Sequence, residues 1–252
     1  MFSINPFAQV AAGLSAAFMQ TYVVLMVLAV IAGTLFDVAH KGSAKFFERR
    51  KKESRARAER ELGGGEKLML AVETVAEAAV SGEFCKWPRR LSHLLMMYGF
   101  ILYVISTACL VFSYPDNARP DSALPALWTL GACMVLVGGL WFFFFLRVNV
   151  AFDGDSPFHV GRADLFVGSL ILSVLSALVW HAMSAAAANP AAIWITFGIY
   201  LFFTTVLFGT VVWSKFAHMF FKPAVAFQRR VEEADGSSDL PRPSTENYIV
   251  RS

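Results

Sequence analysis

The stretch ALWTLGACMVLVGGLWFFFFL, residues 126–146, contains no charged side chain. A hydrocarbon core about 30 Å thick is crossed by roughly 20 helical residues, and this run supplies them. Its apolar side chains surround the helix axis and form no stripe, as in a helix bordered by lipid and by other helices. Four more runs share this character, at 17–39, 92–114, 164–184 and 193–214. The sequence therefore predicts an all-α membrane protein built as a five-transmembrane-helix bundle. Composition agrees, with 56% hydrophobic and 16% charged residues and a mean hydropathy of +0.53. Soluble domains carry about 25% charged residues.

Residues 1–16 contain no Lys or Arg, so the basic region of a cleaved signal is missing. The first run is also longer than a signal's apolar segment and is expected to stay as a span. Basic residues set the expected orientation. Segment 40–91 holds 13 of them, connection 147–163 holds Arg147 and Arg162, and six follow from Lys215 onward. The opposite side keeps only Arg119 of the chain's 22. The positive-inside rule then places the N-terminus outside and the C-terminus in the cytoplasm.

Four regions follow. Residues 1–39 form the outer N-terminus and first span, 40–91 a cytoplasmic basic loop with an amphipathic helix, 92–231 a four-span bundle, and 232–252 a cytoplasmic tail. Alternating charges over Lys41–Arg60 read as a solvated helix continuing out of the first span. Gly63-Gly64-Gly65 breaks it. Residues 66–80 carry apolar positions at helical spacing, as in a helix lying on the membrane surface or against a partner. Pro88 suits a helix start. Asp153-Gly154-Asp155-Ser156-Pro157 is a turn signal, and the acidic, Ser/Pro-rich tail from 232 reads as disordered when alone. No inverted repeat of the transporter kind is found. Cys85, Cys109 and Cys133 form no CxxC pair, so an iron–sulfur cluster would have to belong to a partner.

Ionisable side chains near a bilayer call for a reason. The five histidines are His40, His93, His159, His181 and His218. Antiparallel second and fifth spans would bring His93 and His218 to similar depth near the cytoplasmic face. A b-type haem takes two imidazoles on one axis, and Arg89, Arg90, Lys215 and Lys222 lie about a turn away along the chain as cations for its propionates. Gly99 and Ala217 are small enough to leave room for the macrocycle. Spacing alone leaves a second reading open, in which both are interfacial histidines touching headgroups or capping a helix. His181, beside Trp180 at the far end of the fourth span, suits either a quinone carbonyl or an interfacial Trp-His belt. His40 and His159 read as surface residues. Tyr103 and Tyr200 read as buried hydroxyls that satisfy a hydrogen bond.

Ser214-Lys215-Phe216-Ala217-His218-Met219 with Pro223 resembles the end of the last span in membrane cytochrome b subunits of the nitrate-reductase gamma group. That group includes the membrane subunits of quinone-interacting membrane-bound oxidoreductase, of the sulfite-reduction-associated complex and of membrane heterodisulfide reductase. Phe84-Cys85, then His93 through Tyr98-Gly99-Phe100 to Thr107, resembles the second span of the quinone-interacting type. The resemblance covers residues 84–230. It implies haem b, exchange with quinone, and a cytoplasmic iron–sulfur or flavoprotein partner. His93 and His218 match the cytoplasmic-side haem ligands, and the relatives' second haem would use positions that here carry Tyr103 and Tyr200, so one haem is expected. Among relatives, a short five-span subunit looks most like the membrane anchor associated with adenylylsulfate reductase in sulfur-oxidising bacteria.

The expected function is thus that of a non-catalytic electron-transfer subunit in a bacterial inner membrane. His93 and His218 ligate iron, Arg89, Arg90 and Lys215 hold propionates, and His181 is a weaker quinone candidate. The rivals are a haem-free structural anchor for the same enzyme and a small transporter. The latter would need charged residues within spans and broken paired helices.

Overall fold

The computed structural model of the chain describes residues 3–11, 13–40, 43–82, 84, 86–120, 122–147, 161, 164–211 and 218–239, with backbone alone at 43–44 and 218–221. Every regular element among them is helical. In chain order these are α1 (Pro6–Val10), α2 (Ala16–His40), α3 (Ser43–Arg57), α4 (Gly64–Ala79), α5 (Trp87–Ser113), α6 (Leu124–Trp141), α7 (Leu165–Ala185), α8 (Pro190–Gly209) and α9 (His218–Asp235). Helix α6 runs on through a π-turn, Phe142–Leu146, in which the Arg147 N–H donates to the Phe142 carbonyl at 2.8 Å. Helices α2, α5, α6 with its π-turn, α7 and α8 are each long and apolar enough to cross a membrane. The chain is a multi-pass membrane protein, with five such helices among the described residues.

Proline sets several helix starts. Pro88, Pro125 and Pro190 each occupy the first turn, where a missing N–H has no helical partner to lose. Extended Lys86 precedes Trp87, so α5 begins five residues before the expected 92. His93 therefore sits in the second turn of the span, not at its lip. The glycine run also differs from expectation. Gly63 caps α4, and Gly64 and Gly65 form its first turn. Glu66 makes this possible by accepting the Gly63 N–H at 3.0 Å, which satisfies one of the donors that a helix start leaves open.

The chain divides into two compact units, Met1–Asp37 with Ser81–Ala217, and Val38–Val80 with His218–Ser252. In the first, α5 packs on α6, α6 on α7, and α7 on α8. The α5–α6 contact is backbone on backbone. A Cβ on Gly99 would lie 2.9 Å from the Gly131 carbonyl oxygen, and one on Gly131 would lie 2.7 Å from the Tyr103 nitrogen. Small residues let membrane helices approach this closely where no water drives them together. Gly99 therefore makes room for α6, not for a macrocycle as the sequence reading supposed. Ser92 adds a hydrogen bond to the Gly138 carbonyl at 2.9 Å. Ser173 and Thr204 meet at 2.8 Å between α7 and α8.

Helix α2 is the least buried span and α7 the most buried. The first is tied to α8 by the Tyr22 hydroxyl, which donates to the Leu201 carbonyl at 3.1 Å and meets Thr205 Oγ1 at 3.0 Å. Short α1 lies against α5 and α7. Asn5 anchors it by donating to the Tyr114 and Asn117 carbonyls at 2.8 and 3.2 Å.

In the second unit α9 packs on α3 and α4. Arg230 pairs with Glu73 and Glu77. Arg50 reaches Glu232 at 3.2 Å and Asp239 at 2.9 Å, and Ser54 meets Ser237 at 2.8 Å. Within the folded chain residues 232–239 pack on α3, with Glu232, Asp235 and Ser237 buried, while the expectation of disorder concerned the tail alone. Residues 240–252 lie outside the described residues, as does the turn signal 153–157. The expected helix over the alternating charges is α3, and α4 is amphipathic as expected, exposing Leu68, Met69, Val72 and Val75.

Candidate functional site

The first unit has two ends. The short-loop end joins α5 to α6 and α7 to α8. The long-loop end carries the start of α5, the π-turn and the start of α7.

His93 lies at the long-loop end. Its Nδ1 is 2.8 Å from Ser81 Oγ, and its ring lies 5.0 Å from that of Phe84, tilted by 45°. Ser81 is buried and has a left-handed backbone, with φ at 51°. The chain returns as the Phe84 N–H donates to the Ser81 carbonyl at 3.2 Å, which carries Phe84 back over the imidazole. Arg89 precedes His93 by a turn and donates to the Leu146 carbonyl at 3.0 Å, closing the π-turn against α5. Arg90 lies half-buried beside it.

Across the same end, Arg147 and Asp164 form a largely buried ion pair that joins α6 to α7. The Arg147 guanidinium also lies 4.5 Å from the Phe143 ring centroid. A cation–carboxylate pair of this kind holds its geometry only because both partners are present.

Lys215 lies outside the described residues. The backbone of His218 opens α9, in the second unit, but its side chain lies outside the described residues, as does His159. His40 is the exposed last residue of α2. Cys109 and Cys133 lie in α5 and α6, and Cys85 is outside the described residues. Among the described residues no group of three or more His, Cys, Asp or Glu could hold a metal ion. A bis-histidine haem site needs only two such side chains, and of the expected pair the described residues include the side chain of His93 alone.

His181 sits at the short-loop end and is fully buried. Its ring meets the edge of Trp128 at 5.4 Å. This corrects the belt-residue reading, because a belt residue keeps one edge in the interface. Phe7 from α1 lies edge-on to Trp128 at 5.9 Å and Trp180 at 5.5 Å. Tyr103 lies 5.3 Å from Trp128, and Tyr200 stacks on Trp180. Tyr103 and Tyr200 thus belong to one aromatic core filling the place between α5, α6, α7 and α8.

Sequence reading missed Ser81 and Phe84 as partners of His93. Ser81-Gly82 carries a turn signal, but the pairing across 12 positions depends on how the chain folds back. No protein-family model, no curated protein and no solved structure matches this chain.

Proposed function

We propose that this chain is the membrane cytochrome b subunit of a bacterial inner-membrane oxidoreductase complex, passing electrons between a cytoplasmic iron–sulfur or flavoprotein enzyme and the quinone pool. The observation that carries the reading is the Ser81–His93 contact near the end of a membrane span. Few side chains within a span are ionisable without a functional reason, and a hydrogen bond at one ring nitrogen fixes the orientation of an imidazole, as for histidines that bind metals. His93 and His218 would hold the iron, with Arg89, Arg90 and Lys215 as the nearby cations for propionates. Bound haem supplies one-electron transfer, and the protein tunes it through ligands, hydrogen bonds and burial.

The positive-inside rule puts the His93 end in the cytoplasm, beside 21 of the 22 basic residues. The partner docks on the second unit, whose α3, α4 and α9 carry the charged faces. Sequence resemblance favours adenylylsulfate reductase as that partner, with the sulfur chemistry done there. Quinone exchange belongs near the His93 end. His181 is a poor quinone donor because aromatic rings cover it.

A haem-free structural anchor is the second reading. It is favoured by the α5–α6 contact at Gly99, which spends on helix packing a small residue that haem would use.

The visible spectrum of the purified full chain separates the two. A reduced b-type alpha band is expected, lost in His93→Ala and in His218→Ala and kept in His181→Ala. A wild-type protein without that band sinks the cytochrome reading. A band that survives His93→Ala while His40→Ala or His159→Ala removes it sinks the ligand assignment.

A further inference from the structure

Helix α4 turns an apolar side outward. Leu68, Met69, Val72 and Val75 are each 60–66% exposed, and Ala76 is exposed beside them. Steps of three and four residues put these five on one side of the helix. Buried Thr74 lies on the opposite side, with half-buried Leu70 next to it. Glu66, Glu73 and Glu77 fall in a line along one flank, and Arg230 of α9 pairs with the last two. A helix that only covers a soluble core turns its charged side to water. In α4 the charges are moved to the flank and the outward side is left apolar. Contiguous exposed apolar surface of this kind marks contact with a membrane or with another protein.

Chain connectivity decides between the two. The unit that holds α3, α4 and α9 joins the membrane-spanning helices through the links 41–42, 80–86 and 210–217. Fully extended, the longest of these reaches about 30 Å. A patch on so short a tether meets the bilayer at an effective concentration of order millimolar, so lipid is at hand before any soluble partner arrives. Charge agrees. Helix α3 of the same unit has seven basic residues against two acidic, which favours a leaflet carrying anionic lipid. Arg230 offsets part of the repulsion that such headgroups would exert on Glu73 and Glu77.

We propose that α4 lies in the lipid–water interface of the bilayer that the spans cross, with Leu68, Met69, Val72, Val75 and Ala76 toward the acyl chains. A helix in this position sinks its apolar face about 5–10 Å into the boundary between headgroups and acyl chains. The charged side chains of the unit, and not this face, are then left for a soluble partner. The proposal does not depend on haem.

The test uses the full chain with Cys85, Cys109 and Cys133 replaced by serine, in nanodiscs of phosphatidylcholine and phosphatidylglycerol. Single cysteines introduced along 66–79 carry a nitroxide. Power saturation reads its collisions with oxygen, which concentrates in lipid, and with a nickel chelate, which stays in water. Labels at Leu68, Val72, Val75 and Ala76 are expected to meet oxygen often and nickel rarely, and labels at Lys67 and Ala78 the reverse. The two profiles then oscillate out of phase with the period of a helix. Labels at Leu68, Val72 and Val75 that meet nickel as often as those at Lys67 and Ala78 place the face in water and overturn the proposal. Few collisions with either reagent place it against protein and overturn the proposal as well, with spin–spin broadening identifying the cover as a second copy. Val72→Glu together with Val75→Glu alters only exposed side chains. It is expected to move a label at Leu68 from the oxygen-rich to the nickel-accessible phase. A Leu68 label that stays in lipid in that variant overturns the apolar face as the anchor. The haem spectrum enters neither readout, so this proposal and the cytochrome reading fail separately.

Discussion

The indole of Trp180 and the phenol of Tyr200 stack with centroids 5.6 Å apart and planes 9° apart. Both residues are buried, as are Phe7, Trp128, Tyr103, Phe197 and His181 around them. Offset-stacked and edge-to-face pairs each add about 1 kcal/mol beyond the area they bury. The short-loop end is therefore a packed aromatic core. Introducing histidines there with Tyr103→His and Tyr200→His together is expected to leave haem content per chain unchanged, measured as pyridine haemochrome. A second equivalent of haem in that variant would contradict the packing argument. Trp180→Ala should cost about 3–5 kcal/mol, seen as a lower thermal midpoint in detergent.

Gly131 and Gly168 make opposite expectations within one bundle. A Cβ at Gly131 meets the Tyr103 backbone nitrogen at 2.7 Å and the Gly99 carbonyl at 2.9 Å. Backbone cannot step aside as a flexible side chain can. Gly131→Ala must therefore separate α5 from α6, at about 1–3 kcal/mol. Nothing lies within 4 Å of a Cβ at Gly168 in α7, so Gly168→Ala should stabilise by up to about 1 kcal/mol through helix propensity. Thermal unfolding of the two variants should shift in opposite directions.

Arg147 and Asp164 have side chains only 10% and 16% exposed. Breaking a buried pair costs up to about 3–5 kcal/mol, and Asp164→Ala is expected to destabilise the bundle within that bound. The double variant Arg147→Leu, Asp164→Leu should cost less than the sum of the two single variants. Strictly additive losses in the double-mutant cycle would show that the pair carries no coupling.

Glu66 starts α4 from its carboxylate. The Gly63 N–H and then the Arg60 guanidinium hold its pKa below the ordinary value. A depressed folded pKa means stabilisation that is complete above the unfolded pKa and lost as pH falls through the folded one. The first turn of α4 should therefore be closed at neutral pH and fray on acidification below the ordinary carboxylate range. Amide exchange at Lys67, whose N–H donates to the Gly63 carbonyl at 3.1 Å, reports this directly. Glu66→Gln should flatten its acid dependence, and an unchanged profile in that variant would refute the assignment.

Much of the fold was legible because lipid tolerates few backbone arrangements. A run such as 126–146 has no way to satisfy its peptide groups in hydrocarbon except as a helix. Its ends were less legible. Trp87 and Arg89 look interfacial, yet extended Lys86 and Pro88 start the helix there. From its composition the tail reads as disordered when alone, and composition does not show that Glu232 would find Arg50 and Ser237 would find Ser54. Such pairs join residues some 180 positions apart, a separation no local pattern encodes.

The candidate site divides in the same way. His93 was legible alone, as an ionisable group in an apolar run. His181 was legible too, but its surroundings were not, since Trp128 and Phe7 arrive from other helices.

By itself the sequence determined five runs long and apolar enough to cross a membrane, since hydrophobic length is a local property set against a fixed bilayer thickness. Tertiary structure alone decided which small residues become helix contacts and which hydroxyl meets His93. Gly99 serves α6, and Ser81 turns its hydroxyl to His93. Those outcomes depend on close packing between segments distant in sequence, where a shift of an ångström makes or removes a hydrogen bond.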